Sequence, residues 1–373
     1  MRANTGLYLS RLDHVRAAAA FLVYAWHFLH AKVPYENVPG FFLLSLLEEG
    51  HIGVALFMTL SGYLFAKIIN GRAIVLKNFY WNRALRLVPL LAVMMVYWAV
   101  RGHLTLQGFF LGLLSFPTWP PGTWSIVVEF HFYAIFPVLL ALQTKNRVLP
   151  LFAVLALSIG VRFLLWQTMG EVQWLSYWTI VGCIDMFVFG MLWHELSKTE
   201  LVQNHPAKLF WVSLGSLAIF WHAFNTAGGF FSFGTYPSTT PIWIVIPSIQ
   251  GLCLGAIIVG YERMAFSMPR ILDAALAKVG EVSYSIYLIH CAVFLSVAKQ
   301  LGLLGFDLTN FTTALMLTIA TFPLMVLVSI VSYEVIEKPF LRFRTPYIKK
   351  SKEPNEWFEW PWLSNAWANV RPR

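Results

Sequence analysis

The chain has 373 residues, of which 58% are hydrophobic and only 12% charged; its mean hydropathy is +0.64 and its formal net charge +9. A soluble chain of this length would be about a quarter charged, so a set of two or three soluble domains is excluded. In a soluble protein the basic balance would point to nucleic acid, but here Lys and Arg fall between apolar stretches, where they mark one side of a membrane.

In chain order, apolar stretches at 13–31, 51–69, 87–101, 123–142, 148–167, 178–196, 208–223, 242–261, 282–300 and 311–334 predict about ten spanning helices. Most approach the roughly 20 residues needed to cross the hydrocarbon core. The fold class is therefore all-α, a polytopic transmembrane bundle. The stretch 104–116 is apolar but too short to span, and reads as an interfacial or re-entrant piece. With the N-terminus inside, the inner connections are 67–86, 143–147, 197–207 and 262–281, followed by the tail from Glu337. They hold Lys67, Arg72, Lys77, Arg83, Arg86, Lys145, Arg147, Lys198, Arg263, Arg270 and Lys278, and the tail adds Lys338, Arg342, Arg344, Lys349, Lys350 and Lys352. The outer connections have Lys32 and Arg101 at span ends and nothing basic across 168–178 or 224–241. Positive residues concentrate on the cytoplasmic side, so both termini are expected there. Residues 1–344 read as the membrane domain. Residues 345–373, with Trp357, Trp360, Trp362 and Trp367, read as a cytoplasmic tail, either lying on the membrane surface or disordered.

The first apolar run carries Arg16 and His27 and no A-x-A site, so it reads as a retained span and not a cleaved leader. No internal repeat argues for inverted transporter halves. Cys183, Cys253 and Cys291 sit in apolar runs with no metal-ligand or redox spacing, and read as small core residues; no metal is expected.

Ionisable residues inside spans are costly, so each needs a partner or a function. Arg16 and His27 are eleven residues apart, close to three helical turns; on one helix they share a face at roughly 16 Å separation. That spacing suits an anionic group near Arg16 and a reacting centre near His27; the alternatives are a snorkelling interfacial arginine and an interfacial histidine. Asp13 is placed to pair with Arg16 at i,i+3. Glu129 and His131 lie in the fourth span, and Glu129 is at a depth where it could meet His27, a carboxylate charging an imidazole as a general base requires. Arg83 and Arg86 are i,i+3 at the start of the third span, a spacing that can clamp phosphate through forked donors or simply set topology. Ser283, Tyr284, Ser285, Tyr287 and His290 put hydroxyls and an imidazole in the ninth span, and Pro339 is expected to stop the last helix. Arg162 and Asp185, in neighbouring spans, are expected to neutralise one another.

These residues resemble, in order, the blocks of the bacterial acyltransferase-3 family of integral membrane acyltransferases, which includes O-antigen, exopolysaccharide and Nod-factor acetylases. Asp13-x-x-Arg16 through His27 resembles its arginine-x10-histidine opening. Gly53-Val54-x-x-Phe57 through Ser61-Gly62-Tyr63 resembles the second-span block, and Arg83-x-x-Arg86-Leu87-x-Pro89 is similar to the arginine-rich start of the third. Trp124-Ser125 through Glu129 and Phe132-Tyr133-x-x-x-Pro137 resembles the fourth-span block, and Ser283-Tyr284-Ser285-x-Tyr287-x-x-His290 and Glu337-x-Pro339 the closing ones. The blocks run over 12–340, nearly the whole chain. His14 departs from a usual glycine, and Phe130-His131 from a usual Glu-Gln pair.

The resemblance implies an O-acyltransferase of the bacterial inner membrane with no resident cofactor. Acyl-CoA, expected as acetyl-CoA, would bring its phosphates to Arg83, Arg86 and Arg16. His27 would take the acceptor proton or carry the acyl group, with Glu129 holding its ring. Asp13, Trp124, Ser125, His131, Tyr133 and His290 would line the substrate cavity. The acceptor would be a hydroxyl of a cell-surface or lipid-linked glycan, or of a small molecule such as an antibiotic. A transporter or flippase would explain the spans equally well, but not basic pairs at one face combined with a histidine near the other.

Overall fold

A computed structural model describes residues 10–34, 38, 40–114, 119, 120, 122–143 and 148–348. Lys145, Arg147 and the Trp-rich stretch expected as a tail lie outside them. Among the described residues the structure is helical, with one isolated β-bridge between Ile74 and Ile348. The helices are α1 (Ser10–Leu29), α2 (Ser45–Glu48), α3 (Ile52–Ile69), α4 (Leu76–Val100), α5 (Leu106–Leu114), α6 (Trp124–Leu142), α7 (Leu149–Met169) and α8 (Gln173–Trp178). They continue as α9 (Ile180–Leu196), α10 (Glu200–Asn204), α11 (Pro206–Thr226), α12 (Ile246–Arg263), α13 (Arg270–Glu281), α14 (Ser283–Leu303), α15 (Phe311–Ser332) and α16 (Lys338–Leu341).

Each of the ten apolar stretches is helical, and among the described residues seven helices are long and apolar enough to cross a membrane. The other three are α1, α9 and α12. With 17 residues α9 falls just short, whereas α1 carries Asp13 and Arg16 and α12 ends on Glu262 and Arg263. Burial explains the dilution. These three pack in the centre of the bundle, where side chains meet protein and not lipid, so polarity is tolerated. The peripheral α7 is only 22% buried and correspondingly apolar.

Small residues let the central helices approach. A Cβ on Gly62 would collide with the backbone carbonyl of Phe187, and one on Gly190 with that of Thr59, so α3 and α9 touch backbone to backbone. Gly280 does the same for α13 against Asp13 of α1. The departure at His14 fits here: its ring reaches the Tyr261 hydroxyl at 2.9 Å and the Asp273 carbonyl at 3.1 Å, tying α1 to α12 and α13. Arg162 and Asp185 pair at 2.6 Å, both fully buried, and Ser158, Ser248 and the Gly182 and Ile244 carbonyls take up their remaining valences. This is the neutral pair that the two spans were expected to form.

Two sequence expectations need correction. The helix expected from 87 begins at Leu76, because intrahelical hydrogen bonds continue through the charged turns that an apolar-run reading stops at. Arg83 and Arg86 therefore sit in the body of α4. Pro339 does not end the last helix: α15 widens into a π-helical turn over Tyr333–Glu337, and Pro339 occupies the first turn of α16. The wide turn before it accommodates the proline ring and the missing N–H.

The close approach at Gly62 makes a direct prediction. Gly62→Ala should destabilise the bundle by about 1–3 kcal/mol, the usual cost of overpacking. It should lower the thermal midpoint of the detergent-solubilised protein; an unchanged midpoint would refute the backbone contact.

Candidate functional site

One end of the bundle collects arginines. Arg16 pairs with the buried Asp13. Arg86 meets Glu337 at 2.9 Å; Glu337 is fully buried and also accepts from the Ser285 hydroxyl. The π-helical turn puts Glu337 there. Tyr284 lies under Arg86 at 5.3 Å and donates to the Leu87 carbonyl at 2.7 Å. Arg83 lies over the rings of Phe65 and Phe79, at 5.0 and 5.9 Å, and its Nε is buried without a hydrogen-bond partner.

A fourth guanidinium joins them. Arg344, which the sequence reading counted only as a topology charge, has Nε and Nη2 buried and unpartnered. The strand-like segment that follows it is docked on α4. Asn82 donates to the Thr345 carbonyl at 2.6 Å and accepts from its amide at 3.0 Å, Asn78 donates to the Pro346 carbonyl at 2.7 Å, and Val75 to that of Tyr347 at 2.8 Å. Burial, reinforced by Arg86 and Arg83, pushes Arg344 down to about 10, so it stays charged at neutral pH. Among the described residues neither Arg83 nor Arg344 has a carboxylate at ion-pair distance. Beside Arg83 a cavity of about 380 Å³ opens between α4 and α6, walled by Tyr80, Ala84, Phe130 and Tyr133.

From this cavity a polar stripe runs through the bundle. Ser125, Glu129 and Tyr133 follow one another at i,i+4 and share one face of α6. The Tyr133 hydroxyl donates to Glu129. One turn further on, Ser125 Oγ meets the Tyr287 hydroxyl of α14 at 2.6 Å. Tyr287 is three residues before His290, and His290 Nε2 lies 3.3 Å from Nδ1 of His27. The two imidazole centroids are 4.6 Å apart.

Tautomers follow from the carbonyls. His27 Nδ1 is 2.9 Å from the Val23 carbonyl, which can only accept, so Nδ1 carries the proton and Nε2 is the basic nitrogen. His290 Nδ1 likewise donates to the Tyr287 carbonyl, which leaves its Nε2 lone pair facing His27. The expected partnership of Glu129 with His27 is not formed. Glu129 is taken by Tyr133, and it is His290 that touches His27. His131 also parts from the group. Two residues beyond Glu129, it lies on the opposite face of α6 and reaches the Leu113 carbonyl of α5 at 3.3 Å. Trp124 packs on Tyr177 and Trp178, each at 4.8 Å, beside the stripe.

A second polar cluster, at the end of the bundle that bears His27, escaped the sequence reading. Glu48 and Glu49 are both buried. Glu48 accepts from Asn225 at 2.8 Å but its Oε1 is unpartnered, and Glu49 lies 3.2 Å from His51. His51 is ringed by Trp26, Tyr177, Trp221 and Phe230 at 5.0–5.9 Å, and Trp26 abuts His27 at 4.7 Å. The signal available was the run Glu48-Glu49-Gly50-His51 immediately before an apolar span. Burial, then the neighbouring Glu49, pushes Glu48 up to about 7, against the Asn225 hydrogen bond.

Comparison with known proteins gives this geometry a setting. Residues 9–333 match the acyltransferase domain family, and the chain belongs to it. It is 24% identical to nodulation protein 10 of Rhizobium leguminosarum bv. viciae, over 91% of this chain and 95% of that one. It is 29% identical to the exopolysaccharide production protein ExoZ of Rhizobium meliloti, over 79% and 90%. With the peptidoglycan O-acetyltransferase OatA of Listeria monocytogenes it shares 24% identity over 96% of this chain and 61% of that protein. No solved structure matches. The chain is thus a multi-pass membrane acyltransferase.

The shift of Glu48 has a measurable consequence. A carboxyl held neutral by the fold contributes stability below the ordinary carboxylate range, and that stability is lost as pH rises through about 7. The thermal midpoint should fall between about pH 4.5 and pH 7, and Glu48→Gln should flatten that fall. An identical pH profile in the variant would contradict a neutral Glu48.

Proposed function

We propose that this acyltransferase moves an acyl group, acetyl in the first instance, from cytoplasmic acyl-CoA to a hydroxyl of a cell-surface or lipid-linked glycan in the bacterial inner membrane. One observation carries the reading: buried arginines in excess of their carboxylates are joined by a polar stripe to a histidine whose Nε2 is free to act as a base. Arg83 and Arg344 hold donors with no partner, as a phosphate site does before its anion arrives. The donor's phosphates would seat there, with Arg86 and Arg16 held in place by Glu337 and Asp13. Relatives that bear on exopolysaccharide and peptidoglycan support a glycan acceptor.

The chemistry balances at His27. Its Nε2 takes the proton of the acceptor hydroxyl as oxygen attacks the thioester carbon. The carbon–sulfur bond breaks, and the proton is passed to the departing CoA sulfur. The Val23 carbonyl and His290 Nε2 both face the Nδ1–H, so they hold the ring and disperse the charge it gains. Carriage of the acyl group on His27 itself would use the same nitrogen. Tyr133 keeps Glu129 from acting as the orienting carboxylate, a part the Val23 carbonyl and His290 take over.

His27→Ala should abolish O-acyl product while the protein is still made and inserted, as read by mass analysis of surface glycans from cells with and without the gene. Full acylation in that variant would remove the assignment. Arg83→Ala and Arg344→Ala should each raise KM for acyl-CoA by about 10–100-fold, since a charge-assisted hydrogen bond contributes roughly 1.5–3 kcal/mol. A flippase would show no CoA binding at all, so calorimetric titration of the purified protein with CoA separates the two readings.

A further inference from the structure

We propose that His27, His290 and Cys291 form a binding site for a thiophilic divalent cation, zinc or cadmium, and that its occupation silences the enzyme. The silencing rests on His27 acting as proposed above; the binding does not.

The three side chains offer one ligand atom each, all within 4.8 Å of one another. His290 Nε2 is the hub, 3.3 Å from His27 Nδ1 and 3.3 Å from Cys291 Sγ. Bonds of about 2.0 Å to imidazole nitrogen and 2.3 Å to thiolate at tetrahedral angles would place two nitrogens about 3.3 Å apart, and nitrogen and sulfur about 3.5 Å apart. Both separations from His290 are near these values with no ion in place, and the third, His27 to Cys291, is within 4.8 Å. The ligand set is soft, which selects zinc or cadmium over magnesium or calcium.

The surroundings resemble a prepared site. His290 Nδ1 donates to the Tyr287 carbonyl, the kind of outer contact that fixes the tautomer and ring plane of a metal-binding histidine. Cys291 is 3% exposed and His290 1%, so the donors are shielded from competing water. Gly122, at φ +79°, lays its backbone against the pair: a Cβ there would sit 2.9 Å from Cys291 Sγ and 3.1 Å from His290 Cε1. His27 is only half-buried and gives the ion its way in. Sequence spacing could not show the group, because His27 and His290 are 263 positions apart.

The proton balance gives the effect. Binding displaces the Cys291 thiol proton to solvent. His27 turns Nδ1 from the Val23 carbonyl to the ion, and the ring proton reappears on Nε2, so the nitrogen assigned as the base is no longer one. Net release of one proton makes apparent affinity rise about tenfold per pH unit below the thiol pKa.

The test uses the full chain in detergent with Cys183→Ser and Cys253→Ser, so that Cys291 is the remaining thiol, titrated with cadmium chloride. One equivalent should bind with the ultraviolet absorption of a cadmium–thiolate bond. Cys291→Ser and Cys291→Ala should both lose that absorption, and His290→Asn should weaken binding at least tenfold. Absence of the thiolate absorption, or binding indifferent to His290, overturns the site. In membranes, acyl transfer with and without zinc is compared within each variant, so differences in basal rate cancel. Cys291→Ser should need at least tenfold more zinc for the same fractional loss, and equal sensitivity overturns the silencing. If His27→Ala stayed fully active, the catalytic reading would fall while the cadmium absorption stood.

Discussion

Positive charge without enough negative charge, held inside one end of the bundle, is the constraint that the rest of the molecule answers. Arg16, Arg83, Arg86 and Arg344 crowd together, and among the described residues only Asp13 and Glu337 meet two of them at ion-pair distance. Removing guanidinium groups from water is costly, and leaving their donors unmatched adds to the cost. The fold nonetheless provides for the arrangement. A π-helical turn aims Glu337, aromatic rings floor Arg83 and Arg86, and the docked residues 345–348 hold Arg344 against α4. An anion with several oxygens would relieve all of this at once.

The polar stripe is the second half of that answer. In a membrane bundle each buried hydroxyl or carboxyl has to be matched by a neighbour. Here the matches form a sequence, Tyr133 with Glu129, Ser125 with Tyr287, and His290 with His27, that reaches across the bundle. The central helices around it are drawn tight by Gly62 and Gly190 between α3 and α9, and by Gly280 between α13 and α1. A site built on helices in this way can fix an imidazole more closely than a loop could.

How much of this the amino-acid sequence disclosed depends on whether the signal was local. Apolar runs are local, and all ten became helices, with the largest errors where charge or proline interrupted a hydrogen-bonding pattern that did not stop. The i,i+3 pairing of Asp13 with Arg16 and the neutral Arg162–Asp185 pair followed from the cost of unpaired charge. Partnerships across helices did not. Depth alone suggested that Glu129 would meet His27, but helix rotation and the Tyr133 hydroxyl decided otherwise, and the same rotation turned His131 toward α5. Arg344 counted only as a topology charge, and Glu48 and Glu49 were passed over, because all three lie outside the apolar stretches. Their significance comes from burial, which a sequence does not display.

The most direct measurement is a structure of the purified protein with a thioether analogue of acyl-CoA, which cannot transfer its acyl group. The account predicts phosphate density against Arg83 and Arg344, with the chain of the ligand following the Tyr133–Glu129–Ser125 face until its sulfur lies beside His27. Phosphates seated elsewhere, or a sulfur remote from that imidazole, would contradict it.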